Sequence, residues 1–305
     1  MSVRVRVPGT SANLGPGFDS LGIALDLWNE VEVTPNDSGR FEVDVRGAGS
    51  KWLPRDRRNL LVRILLQTTE QLGGALSGAH LRALNGVPQS GGLGSSASAV
   101  VAGVAAALAL HTGEQPDRDE VFRLATACEG HPDNAAPAVY GGATIAYTDG
   151  EGRPRCAAMT VDESIHAVLL VPDYTTKTSA MRMLQPESVP VADAVFNLSR
   201  SALLVHALGE DPSLLFEATE DRLHQPYRAQ AMPATDRMIT DLRTQGHAAV
   251  LSGAGPTVLV LATSAAEADA VAAADGLVDS ASHDTPVRWK SHRVAIAAEG
   301  ATVVL

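Results

Sequence analysis

The chain has 305 residues, 45% of them hydrophobic and 19% charged, with no long run of like charges; that length buries a sizeable core, and the balance excludes a disordered chain. A formal net charge of -11 excludes non-specific nucleic-acid binding, which requires a basic face, although it leaves room for one nucleotide held locally. The longest apolar runs, such as Val100 to Leu110, are too short and Ala-rich to span a bilayer, and the alternating start lacks a signal-peptide core, so no membrane association and a cytoplasmic location are expected.

In chain order, the alternation of Val3, Val5 and Val7 predicts a half-buried strand ending at Pro8-Gly9. Further strands are expected at Trp28 to Val33 and Phe41 to Val45, and a helix from Asn59 to a glycine stop at Gly73. A short strand at Leu81 to Leu84 leads into a glycine cluster at 91–94, followed by a long Ala/Val helix reaching His111. Pro116, Asp117 and Asp119 open a helix running to about Cys128, broken by Gly130-His131-Pro132-Asp133-Asn134; a strand follows at Ala143 to Tyr147. The turn-rich segment Asp149 to Pro154 is the expected domain boundary, dividing the chain into 1–152 and 153–305. The second half predicts a strand at Ala167 to Val171, helices near Ala192 to Leu208, Pro212 to Arg222 and Thr235 to Thr244, and a hairpin of 248–251 with 258–261. A last helix near Ala265 to Ala274 and a strand near Arg293 to Ala297 close it. Without an internal repeat or low-complexity linker, the expectation is two α+β lobes packed together. The two cysteines, Cys128 and Cys156, form neither a disulfide framework nor a metal cluster.

The strongest local chemistry lies in Pro88-Gln89-Ser90-Gly91-Gly92-Leu93-Gly94-Ser95-Ser96-Ala97. Glycines let the backbone approach an anion, hydroxyls add donors, and the helix that follows directs its free N–H groups at the same spot. The loop lacks the Lys of a Walker A sequence, and only Lys51, Lys177 and Lys290 occur in the chain, so phosphate charge must be met by a metal, the helix end and arginine. A flexible turn before a helix would share this composition.

Pro88 through Ala97 resembles the phosphate motif of the GHMP kinases. Pro8 through Leu25 is similar to the N-terminal signature of the homoserine kinase members, and Gly130 through Pro137 with Gly141-Gly142 resembles their second signature. Arg182 after a Thr-rich turn, His224 to Arg228 and Leu251 to Thr257 match further motifs in the same order. The resemblance implies a two-domain GHMP kinase fold, the first domain of the ribosomal protein S5 domain 2 type and the second ferredoxin-like, with the active site between them. It also implies transfer of the ATP γ-phosphoryl group to L-homoserine in threonine biosynthesis, and leaves room for a homodimer. Another small alcohol such as threonine or mevalonate, or a catalytically silent relative, are the alternatives.

By that match, Asn13 and Asp19 hold the substrate ammonium, Arg182 and Arg228 grip its carboxylate, and His131 helps bind it. Asn59 reads the base, although as a helix N-cap it would look the same. Pro88, Gly91, Gly92, Leu93, Gly94, Ser95, Ser96 and Ala97 cradle the phosphates, and Ser96 with Glu129 are the expected Mg²⁺ ligands. Glu129 stands only two residues before His131, closer than in the family pattern. Many relatives carry a presumed aspartate base where this chain has Asn134, and an amide cannot accept a proton, so Asn134 is expected to orient the hydroxyl while the proton passes to the γ-phosphate. Asp133 is the weaker candidate for a base.

Overall fold

The computed structural model describes residues 2–273, 276–279 and 286–305. The strands are β1 (Val3–Ala12), β2 (Leu21–Asn36), β3 (Phe41–Gly47), β4 (Gly78–Asn85), β5 (Ala143–Thr148), β6 (Pro154–Met159), β7 (His166–Pro172), β8 (Ala249–Leu251), β9 (Val258–Ala262), β10 (Val278–Asp279), β11 (Val287–Val294) and β12 (Thr302–Val304). The helices are α1 (Leu60–Gln71), α2 (Ser95–Thr112), α3 (Arg118–Glu129), α4 (Ala135–Tyr140), α5 (Thr178–Arg182), α6 (Val191–Gly209), α7 (Leu215–Ala218), α8 (Gln225–Ala229), α9 (Pro233–Thr244) and α10 (Ala265–Ala272).

Val3, Val5 and Val7 are fully buried between exposed Arg4 and Arg6, which is the alternation of a sheet with one solvated face. Beyond a register shift at Pro8/Gly9 the strand continues to Ala12 with every residue buried, because there it runs into the junction between the two lobes. Alternation stops where solvent stops, which is why the sequence ended this strand early. The first sheet has the order β12-β1-β2-β4-β3, with β5 on β2 and β6 on β5. Helix α2 packs behind it: on length and hydropathy alone it could cross a membrane, but 67% of it is buried inside the protein as the central core helix.

The proposed boundary at 152/153 needs correcting. Asp149 to Arg153 is the turn of a β5–β6 hairpin, closed by the Asp149 N–H donating to the Arg153 carbonyl at 2.9 Å. The first sheet therefore extends to Met159, and β12 returns to it from the far end of the chain. A polar turn between two strands reads the same whether the strands pair or part.

The second sheet has the order β10-β11-β7-β9-β8. In β7, Ala167 and Leu169 join one hydrophobic cluster while Val168 and Leu170 join another on the opposite face. The first of these clusters also contains Leu14, Ile23, Leu25 and Leu93 from the amino-terminal half, so a shared core holds the lobes together. The predicted helix at 212–222 is a single 3-10 turn at Pro212–Leu214 followed by the short α7. The strand expected at 293–297 is instead the end of β11, which begins at Val287. Ala274, the predicted end of α10, lies outside the described residues.

Candidate active site

Three loops converge where α2 begins. Gly94, in the left-handed conformation, precedes α2, and the first intrahelical bond, from the Ser98 N–H to the Gly94 carbonyl at 2.8 Å, leaves the Ser95, Ser96 and Ala97 N–H groups without helical acceptors. A Cβ at Gly94 would stand 1.8 Å from Thr10 Oγ1 and 3.1 Å from Asn134 Oδ1, so only glycine lets this loop sit against β1 and the segment after α3. The three elements are tied through Thr10, whose hydroxyl donates to Asn134 Oδ1 at 2.7 Å and whose N–H donates to the Leu93 carbonyl at 3.1 Å. Thr10, to which the sequence assigned no role, thereby fixes which way the Asn134 amide faces.

Helix α3 ends at Glu129 because Gly130 takes the left-handed conformation and closes the helix on the Thr126 carbonyl. That stop sets the Glu129 carboxylate beside the start of α2, where it accepts a 2.9 Å hydrogen bond from the Ser96 hydroxyl. Burial raises the Glu129 pKa, opposed by the Ser96 hydrogen bond and the nearby His131. Four residues after Glu129, Asp133 is 2% exposed, and its Oδ1 is engaged by His131 Nδ1 at 2.6 Å, the Asn134 N–H at 2.9 Å and Asn134 Nδ2 at 3.3 Å. A carboxylate so enclosed orients its neighbours. Its hydrogen bond raises the His131 pKa against the opposing effect of burial.

Glu129, His131 and Asn134 line a cleft of about 750 Å³ together with Gly91, Gly92, Leu93, Gly94, Ser95, Ser96 and Ala97. Pro88 shapes the loop from outside that lining. Asn59 stands in the opposite wall, where its Oδ1 caps α1 by accepting from the Leu61 N–H at 3.0 Å and its Nδ2 donates to the Pro54 carbonyl at 2.7 Å. The capping role is thus present, leaving one amide N–H and one oxygen lone pair for a base.

The residues expected to grip the substrate gather beside this cleft. Asp19, held at positive φ, forms a forked pair with Arg182 at 2.9 and 3.2 Å. Asn13, 3% exposed, donates from Nδ2 to the Gly253 carbonyl and accepts the Asp19 N–H at Oδ1, so it fixes Asp19 and retains one lone pair. Arg228 is 2% exposed. One of its terminal nitrogens reaches the Gly253 carbonyl at 3.1 Å and His224 Nδ1 at 3.3 Å, while its buried Nε has no partner. Burial, then the nearby Arg182 charge, lowers its pKa. His224 is placed by its Nε2 against the Gly15 carbonyl at 2.8 Å and by stacking on Phe18 at 5.0 Å, and burial lowers its pKa. The neutral ring therefore donates from Nε2 and accepts from Arg228 at Nδ1. His224 and Phe18 were legible as motif members but not as supports for Arg228.

The hairpin turn after β8 joins the lobes: the Ser252 hydroxyl donates to the Gly92 carbonyl at 2.8 Å, the Gly253 N–H to the Ala12 carbonyl at 3.1 Å and the Thr257 N–H to the Gly91 carbonyl at 3.2 Å. The arrangement offers an anion cradle, a pair of oxygen ligands and a cluster of opposite charges within one junction. That combination is suited to moving a phosphoryl group onto a small charged acceptor.

The family models for the N-terminal and C-terminal domains of GHMP kinases match residues 59–142 and 200–274. The chain belongs to the GHMP kinase family. It is 47% identical over 302 residues to a homoserine kinase of Clavibacter michiganensis subsp. michiganensis, covering 99% of this chain and 93% of that one. To a homoserine kinase of Streptomyces avermitilis it is 46% identical, covering 99% and 96%. The crystal structure of a homoserine kinase from Cytophaga hutchinsonii superposes with a TM-score of 0.82 at 25% identity, covering 99% and 97% of the two chains. The expected two-domain α+β GHMP kinase fold is thereby established.

Proposed function

We propose that the protein transfers the γ-phosphoryl group of ATP to the side-chain hydroxyl of L-homoserine, giving ADP and O-phospho-L-homoserine for threonine biosynthesis. The observation that carries the choice of substrate is Arg228, a buried guanidinium whose Nε lacks a partner. A carboxylate lying against Nε and the second terminal nitrogen would satisfy it with two parallel charge-assisted bonds. Asp19 and Arg182 neutralise each other as a 2.9 Å pair. A zwitterion carries both complementary charges, so its ammonium can replace Arg182 at Asp19 while its carboxylate takes Arg182 and Arg228. Mevalonate has the carboxylate but no ammonium, and would leave Asp19 without its cation.

Ser96 and Glu129 suit Mg²⁺, which takes oxygen ligands, usually one or two from protein, and fills its remaining positions with phosphate and water. Bound there, Mg²⁺ would supply positive charge to the phosphates.

Asn134, with Oδ1 held by Thr10 and one N–H near Asp133, retains a second N–H with which to orient the acceptor hydroxyl. Asp133 is turned toward His131 and Asn134 through Oδ1, and in this reading the hydroxyl proton passes to the transferred phosphoryl group. A loose transition state demands little activation of the nucleophile, and placement with charge stabilisation suffices.

Incubation with ATP and Mg²⁺ plus homoserine, threonine or mevalonate, read as ADP formed, tests the proposal. Homoserine is expected to be turned over in preference to the others. Preferential turnover of mevalonate, or binding of homoserine and ATP without ADP formation, would overturn it.

A further inference from the structure

The phosphate loop contains no cationic side chain, yet three phosphates carry charge that the Ser95, Ser96 and Ala97 N–H groups only partly offset. Besides His131, two described cationic side chains line the cleft, Arg63 and Lys177. Arg63 belongs to the first turn of α1, at the Asn59 wall. Lys177 stands on a segment anchored to the phosphate loop itself. The preceding Thr176 hydroxyl donates to the Gly255 carbonyl at 3.1 Å, and Gly255 backs directly onto the loop, since a Cβ at Gly92 would lie 2.8 Å from the Gly255 nitrogen. Lys177 immediately precedes α5, whose last residue is Arg182, so one five-residue helix runs from the phosphate end to the substrate end. That places Lys177 about 7 Å of helical rise from the arginine that faces the amino acid.

Lys177 is exposed and makes no ion pair among the described residues, so no fold-stabilising carboxylate claims it. Its neighbours in the cleft wall, Thr176, Thr178 and Ser179, are uncharged hydroxyl residues.

We propose that Lys177 is a catalytic residue whose ammonium binds the terminal phosphate of ATP and stabilises the charge on the phosphoryl group in flight, the task a lysine within the loop performs in Walker A proteins. This rests on the phosphoryl-transfer reading above. In the step, the acceptor oxygen bonds to the γ-phosphorus as the bond to the β,γ-bridging oxygen breaks. ADP departs with that electron pair, and the hydroxyl proton moves to the transferred group. The lysine keeps its own protons throughout.

Lys177→Ala, Lys177→Arg and wild type are compared by steady-state kinetics and by calorimetric binding of ADP and a non-hydrolysable ATP analogue. The alanine variant should lose about 10- to 100-fold in kcat/KM for ATP, mostly in kcat, with arginine restoring much of it. Its KM for homoserine should change less than about threefold, and its preference for the ATP analogue over ADP should shrink, because ADP lacks the phosphate concerned. Lys177→Ala within about twofold of wild type, or ADP affinity falling as much as analogue affinity, would overturn the assignment. A merely structural role would move the thermal midpoint and both nucleotides alike. If wild type itself binds ATP without phosphorylating homoserine, the substrate reading fails, while the analogue-to-ADP comparison still judges Lys177.

Discussion

Replacing Arg228 by alanine separates substrate recognition from stability, because the structure makes the two consequences unequal. The side chain gives the fold two hydrogen bonds, to the Gly253 carbonyl and His224 Nδ1, and a contact over the Phe18 ring at 5.4 Å, and in exchange buries a charge with an unsatisfied Nε. Truncation also leaves the buried His224 Nδ1 without a donor, so the net cost is about 1–3 kcal/mol and the thermal midpoint should fall by only a few degrees. The bound carboxylate, by contrast, loses a buried fork, and truncating one partner of such a pair costs about 2–5 kcal/mol. At about 1.4 kcal/mol per tenfold, that is a rise of roughly 30-fold to a few thousand-fold in the KM for homoserine, with the KM for ATP nearly unchanged. The decisive control is 3-aminopropan-1-ol, which is homoserine without its carboxylate. Wild type should use it poorly, and Arg228→Ala should lose little more on it, because the group that Arg228 grips is already gone. An equal loss on both acceptors, or equal effects on the KM values for homoserine and ATP, would refute the carboxylate assignment.

Two further outcomes follow from the geometry around α2. Asn134→Asp should leave homoserine phosphorylation intact or impair it, since the Thr10 hydroxyl and Asp133 already fix that position and a second carboxylate would crowd Asp133; a large gain in kcat would mean that a base is limiting. Because burial raises the Glu129 pKa above its ordinary 4.5, the carboxylate form gains ground only as pH rises through that raised value. Apparent Mg²⁺ affinity should therefore increase with pH above the usual carboxylate range, and Glu129→Gln should both weaken it and flatten the dependence; an unchanged slope in the variant would remove Glu129 from the metal site.

The sequence by itself determined the elements whose cause is local. The Val3-Val5-Val7 alternation, the Asn59 and Asp117 caps and the Gly130 stop each act within a few residues, so they read directly from the chain. The candidate site residues Asn13, Asp19, Ser96, Asn134, Arg182 and Arg228 stand in motifs that could be picked out in order, and Glu129 lies closer to His131 than the family pattern has it. What only the tertiary structure decided is which of them meet. Glu129 meets Ser96 across 33 residues, Thr10 meets Asn134 across 124, and Asn13 meets Gly253 across 240. None of these is encoded by spacing, because each depends on where separate loops come to rest. The same cause hid the β5–β6 pairing and the buried half of β1, where a neighbour in space supplies what the local pattern lacks. An isolated Asp133 reads as a candidate base; in the fold its Oδ1 takes His131 Nδ1 and both N–H groups of Asn134, which makes it the group that holds those two side chains in place.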